Sequence, residues 1–315
     1  MHEKVYDDIT SRDNSSAPAC DLYVSGAPCP AFSSAGRQQS LGDVRGCVLI
    51  HSLDYVVEKR PRLAVFENVR GLSGPKCKAV LDAVVKILRL CNYSVRAQVL
   101  DTKVHGGIPH SRPRLYLVAV SKAWAVKEEM RRVFPDPITC PSLSRFIINN
   151  VQQKRDVTDL ALKNIKAAKA FAEAKGWDVK RQIVCDGGAT EMFRCVMLEC
   201  SPCLTKSRAS SNGHFLVTLN RWMNIWEMAA LQGWPKVLVD EVLQSFPARQ
   251  MGATIGDGMS LSILQRMLPR AMLASQLISK LPHDIWADSA KVKGHLPDAV
   301  YGLVSPGHEQ GALWR

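Results

Sequence analysis

Two short apolar runs constrain this chain more than any other feature. Asp-Leu-Tyr-Val-Ser-Gly (21–26) and Leu63-Ala-Val-Phe66 are near-continuous rather than alternating, the pattern of strands buried on both faces. Between them, from about Asp43 to Glu58, apolar residues recur at Val44, Cys47, Val48, Leu49, Leu53, Val56 and Val57. That spacing is helical, and Pro61 stops it. A second helix is predicted in CKAVLDAVVKILRLC (77–91), with Val80, Val84, Ile87, Leu88 and Cys91 on one face. Strands follow at Ser94–Leu100 and Leu115–Val120. Strand, helix, strand, helix, strand predicts an α/β domain with a largely parallel sheet.

Beyond Val120 the chain becomes mixed, basic and proline-punctuated. One helix is predicted over about Val157–Lys175, with Lys163, Lys166 and Lys169 as a stripe that reads first as a solvated face. Further helices are expected near Asn224–Leu231 and over Gly258–Leu281, the latter interrupted by Pro269. At 315 residues the chain is long enough for one large domain and a smaller one. No apolar run reaches membrane-spanning length, and the N-terminus lacks a signal-peptide pattern. Ten scattered cysteines point to a reducing compartment. The net charge of +12 suits a polyanionic partner, a weak signal by itself.

Chemistry enters at the strand ends. Parallel strands joined by one helix lie side by side or nearly so, and their following loops open at one edge of the sheet, where α/β domains bind ligands. The first loop fixes Cys29 between Pro28 and Pro30, and the second starts with Glu67 and Asn68. A lone Pro-Cys-Pro reads as a tight turn and a lone Glu-Asn as a turn cap; a stiff thiol and a carboxyl converging on one crevice read better as catalytic.

Six segments then resemble the cytosine-C5 methyltransferase family, in order and over nearly the whole chain: GAPCPAFSSAG (26–36), GDVRG (42–46), FENVRGL (66–72), GGIPHSRPRLYLVAV (106–120), RWMNIWEMAALQGWP (221–235) and GATIGDGMSLSIL (252–264). The resemblance implies a Rossmann-like methyltransferase sheet using S-adenosylmethionine, over residues 1–120. It further implies a target-recognition domain over 121–252, a closing helix returning over 253–282, and a tail over 283–315. It implies Cys29 as the thiolate adding to cytosine C6, Glu67 as the acid serving N3, and Arg114 with Arg112 on O2 and a nearby phosphate. Asn68 would order the cysteine loop, and Ser33, Arg37 and Arg221 would contact DNA. Asp8, Ile9, Pro28, Gly256 and Asp257 would meet the cofactor. The target base must be flipped out of the duplex to reach such a site.

The sequence departs from the family's pattern at Pro30, His110 and Asp257, and more seriously at the front. The strand and glycine-rich loop that hold the methionine part of the cofactor are not in these 315 residues, and YDDIT (6–10) resembles only the third family motif. Strand 21–26 is therefore expected to be an exposed edge. The expectation is an N-terminally truncated member, one half of a split enzyme completed by a separate N-terminal half-chain, or an inactive remnant; unaided methylation is not expected. Two rivals stand beside DNA methylation: the same chemistry on transfer RNA, and a non-enzymatic nucleic-acid binder. Cys185, Cys195, Cys200 and Cys203 with His214 are spaced too irregularly for zinc, so no metal is expected. The expected location is intracellular, nuclear in a eukaryote, with no membrane partner.

Overall fold

The computed structural model describes residues 5–27, 47–148 and 157–291. It divides into two compact units: Met1–Leu100, Pro113–Asp136 and Gln265–His283 in the first, and Asp101–Arg112, Pro137–Leu264 and Asp284–Arg315 in the second.

The first unit carries β1 (Leu22–Gly26), α1 (Cys47–Lys59), β2 (Leu63–Val69), α2 (Lys78–Leu90), most of β3 (Tyr93–Asp101), and β4 (Pro113–Ser121). The sheet order is β1-β2-β4-β3. β1 and β2 are parallel, with Leu22 opposite Leu63 and Gly26 opposite Glu67. The sheet is mixed rather than largely parallel, because β4 runs antiparallel to β2, Leu63 facing Val120 and Val69 facing Arg114. The reason is the link before β4. Parallel strands need a crossover of a dozen or more residues, whereas β3 and β4 are joined by a segment whose helix, Thr102–His105, is one turn long.

Both faces of the central strands are buried, which explains their continuous apolar sequences. Ala64, Phe66, Leu115, Leu117 and Ala119 pack with Leu49, Leu53 and Val56 of α1 and Val84 and Leu88 of α2. The alternate residues Leu63, Val65, Val118 and Val120 are fully buried as well. β1 is an edge of the described sheet, with Val24 exposed. The helix that follows Gly258 is uninterrupted from Leu261 to Ala274 through Pro269, and it ends earlier than the sequence pattern implies. Gln276 takes a positive φ of 58°, breaking the helical path, and the Arg62 guanidinium donates to the carbonyls of Ser275 and Gln276.

The second unit contains a small antiparallel sheet that the sequence does not announce. Its strands are β5 (Ile183–Cys185), β6 (Val196–Leu198), β7 (Phe215–Leu216) and β8 (Arg221–Trp222), in the order β6-β5-β7-β8. The helix Asp159–Ala174 lays Ala161, Ile165, Ala168 and Ala172 on it, and Thr158 caps that helix by accepting from the Ala161 N–H. The helices Ala248–Asp257 and Lys206–Ala209 touch closely. A Cβ at Gly252 would lie 2.0 Å from the Ala209 carbonyl oxygen, and one at Gly256 would lie 2.5 Å from the Lys206 nitrogen. No described helix is long and apolar enough to cross a membrane.

Candidate active site

In the first unit the site is built on the end of β2. Parallel register sets Glu67 level with Gly26, the last residue of the strand that leads to the Pro-Cys-Pro loop. The antiparallel register of β4 brings Arg114 to the same face, two residues along from the partner of Glu67. Arg114 Nε lies 3.2 Å from Glu67 Oε1, and the two side chains are only 15% and 11% exposed. Asn68, buried beside them, directs its side-chain amide at the carbonyl of Ala27, 3.5 Å away, while its Oδ1 accepts from the Val69 N–H. That contact ties β2 to the residue just before Pro28. Cys29, Pro28, Ser33 and Arg37 lie outside the described residues.

His110 and Arg112, from the same sequence motif as Arg114, are used differently. Within the second unit the His110 ring is fully buried, with Nδ1 donating to the Leu231 carbonyl and Nε2 accepting from the Leu204 N–H. Arg112, 2% exposed, donates to the carbonyls of Leu204, Gly256 and Gly258 at 2.7–3.0 Å. The guanidinium thus neutralises a cluster of backbone oxygens at the C-terminal end of the helix Ala248–Asp257. In this arrangement it holds three backbone carbonyls in place.

Arg221, expected on DNA, is also committed to the fold. Its guanidinium pairs in bidentate fashion with Glu227, at 2.6 and 2.9 Å, and donates to the Ile148 carbonyl. Side-chain exposures of 8% and 0% leave no room for a phosphate at that pair. Glu227 simultaneously accepts from the Asn224 N–H, completing a capping box at the start of the helix Ile225–Ala230.

Among the residues expected at a cofactor, Asp8 is exposed and its Oδ1 accepts from both the Thr10 N–H and hydroxyl at 2.8 Å. The backbone bond from Thr10 is the chief cause holding its carboxyl below the usual value. Ile9 is half-buried. Gly256 is pressed against the Thr205–Lys206 backbone, and Asp257 pairs with Lys206 at 2.7 Å. At Gly256 and Asp257 the structure shows packing and a surface ion pair rather than a cradle.

The cysteine-rich stretch carries no metal geometry, since no group of three His, Cys, Asp or Glu among the described residues could hold an ion. Burial pushes the Cys185 thiol up to about 12.

The sequence pattern of the C-5 cytosine-specific DNA methylases matches residues 1–267. The chain belongs to this family. Curated relatives include the orphan methyltransferase M.SPRI of Bacillus phage SPR, 30% identical over 39% of this chain and 28% of the relative. The type II methyltransferase M.DsaV of Dactylococcopsis salina is 25% identical over 85% of this chain and 74% of its own. The chain therefore spans little more than a quarter of the phage relative's length. Among solved structures, the methyltransferase EhMeth of Entamoeba histolytica superposes with a TM-score of 0.54 at 17% identity, covering 80% of this chain and 77% of that one. This likeness supports the α/β methyltransferase fold.

Proposed function

We propose that this chain acts on cytosine C5 in DNA by covalent catalysis, with Cys29 as nucleophile and Glu67 and Arg114 as the groups that make the ring accept it. The observation that carries this reading is the Glu67–Arg114 pair at the tip of β2, level with the end of the strand that leads to Cys29. Cys29 is three residues past Gly26, a reach of at most about 11 Å.

In the proposed reaction the Cys29 thiolate forms a bond to C6, and the C5=C6 electron pair moves toward C5 and N3. Glu67 supplies the proton that N3 takes up, and the fixed charge of Arg114 faces the oxygen O2 as it gains electron density. C5 then bonds to an electrophile. Loss of the original C5 hydrogen as a proton returns the electron pair, expels the thiolate from C6 and gives the N3 proton back to Glu67. S-adenosylmethionine, the donor implied by the family resemblance, would supply the methyl group when bound.

The addition step has a readout independent of the donor, because a proton from water can serve as the electrophile. Duplex DNA carrying 5-tritiated cytosine should release tritium with the full chain, Cys29→Ser should abolish release, and Glu67→Gln should lower it by about 10²–10⁴-fold. Release from transfer RNA but not from duplex DNA would overturn the substrate, and release unaffected by Cys29→Ser would overturn the mechanism.

A further inference from the structure

A cavity of about 530 Å³ lies wholly within the second unit. Lys103, Lys180, Arg181, Ser142 and Ser144 line it, with Glu199 as the one carboxylate of the wall. That carboxylate is spent on the scaffold. One oxygen accepts from the Ser142 hydroxyl and the Leu143 N–H, and the other accepts from the Gln182 N–H at 2.7 Å. Arg181 Nε stands 4.0 Å away. Glu199 thereby fastens together the two segments that form the walls, from a backbone with φ of 52°, a conformation rare outside glycine.

The cations are differently placed. Lys103 and Lys180 make no ion pair among the described residues, and both are exposed to solvent. Lys103 sits in the one-turn helix Thr102–His105, whose cap Asp101 accepts from the Lys103 N–H at 3.0 Å. The wall thiol Cys140 adds no negative charge, because burial pushes it up to about 12. The cavity therefore holds three cations against one carboxylate, which neutral donors and Arg181 already occupy. Lys103 and Lys180 are left without a counter-charge among the described residues. The serine hydroxyls are spent within the wall, Ser142 donating to Glu199 and Ser144 to Ser142. The groups left to meet a guest are the cations, which an apolar guest would desolvate at a cost.

We propose that this cavity is a phosphate-binding site, taking either a backbone phosphodiester of the nucleic acid or a free phosphate ester. A compact tetrahedral oxyanion suits two exposed ammonium groups, since lysine acts on phosphate as a point charge. The backbone source rests on the nucleic-acid reading given above.

The test uses the full chain, Lys103→Gln/Lys180→Gln, and a charge-matched control, Lys86→Gln/Lys122→Gln, whose positions do not line the cavity. Inorganic phosphate is titrated and followed by ³¹P resonance, and duplex DNA binding is measured from 50 to 200 mM salt. Phosphate affinity should fall at least tenfold in the cavity variant and stay unchanged in the control. If the source is the DNA backbone, the slope of log affinity against log salt should shallow by about 1.8 for two lost contacts. An unchanged slope with lost phosphate binding assigns a free phosphate ester instead. Phosphate binding equal in all three proteins, or equal loss in the control, overturns the proposal. Cys29→Ser should bind phosphate like the parent while releasing no tritium, so the site and the catalytic reading fail separately.

Discussion

Arg221→Met separates two readings of one residue by their size. As a DNA contact, Arg221 would contribute to affinity, and its loss would reduce the salt slope by about 0.9 while changing folding stability by no more than about 0.5 kcal/mol. The structure gives it a different task. Its two terminal nitrogens hold both oxygens of Glu227 at 2.6 and 2.9 Å, and they also serve the carbonyls of Ile148 and Trp222. Removing the cation leaves a fully buried carboxylate with only the N–H donors of Asn224 and Ile148. Breaking such a pair from one side costs about 3–5 kcal/mol. A body of this size shifts by about 2–4 °C per kcal/mol, so the melting temperature should drop by about 6–20 °C. Differential scanning calorimetry reads the loss, and DNA titration from 50 to 200 mM salt reads the slope. Adding Glu227→Leu should restore part of the lost stability, because an apolar pair carries no unpaired buried charge. A variant that melts within a degree of the parent while its salt slope falls by about 0.9 would refute the structural assignment.

Gly252→Ala should destabilise the chain by about 1–3 kcal/mol, seen as a lowered urea midpoint, because its Cβ would meet the Ala209 carbonyl oxygen at 2.0 Å, where backbone cannot yield cheaply. His214 should make stability depend on acid: burial is the chief cause lowering its pKa below the usual 6.5, opposed by Asp186, while Arg208 lowers it further. Below about pH 6.5 the unfolded chain then takes up a proton that the folded chain refuses, so stability is present above that pH and falls below it, by up to about 1.4 kcal/mol per pH unit. Melting curves from pH 7.5 to 5 should therefore be steeper for the parent than for His214→Gln, and equal slopes would remove His214 from the account.

The legible part of this protein is the part whose signals are local. Leu63–Phe66 is the buried strand its apolar run predicts. Leu22–Gly26 forms the predicted strand but lies at an edge of the described sheet with only Ser25 buried, and the parallel pairing of the two sets Glu67 level with Gly26. The sense of β4 depends instead on the length of the link behind it, and the short strands β7 and β8 have too few residues for any period to show.

Two further arrangements did leave signals in the sequence. Asn224 followed three residues later by Glu227 is a capping-box spacing, which turns the glutamate back toward the helix start and so toward Arg221. Read that way, the family's arginine-to-glutamate segment is a buried brace. Gly252 and Gly256, one helical turn apart, mark a face where another backbone approaches.

Nothing local brings together Lys103, Lys180 and Glu199, which come from three segments distant in sequence. The same distinction runs through the arginines of IPHSRPR. Their spacing says only that Arg112 and Arg114 alternate along an extended stretch; the partners decide their roles. Carbonyls at Leu204, Gly256 and Gly258 enclose Arg112, while a carboxyl at a strand tip receives Arg114. Arg114 sits with the acid that the proposed chemistry needs, so loss of its guanidinium should be felt in tritium release rather than in the melting of the second unit.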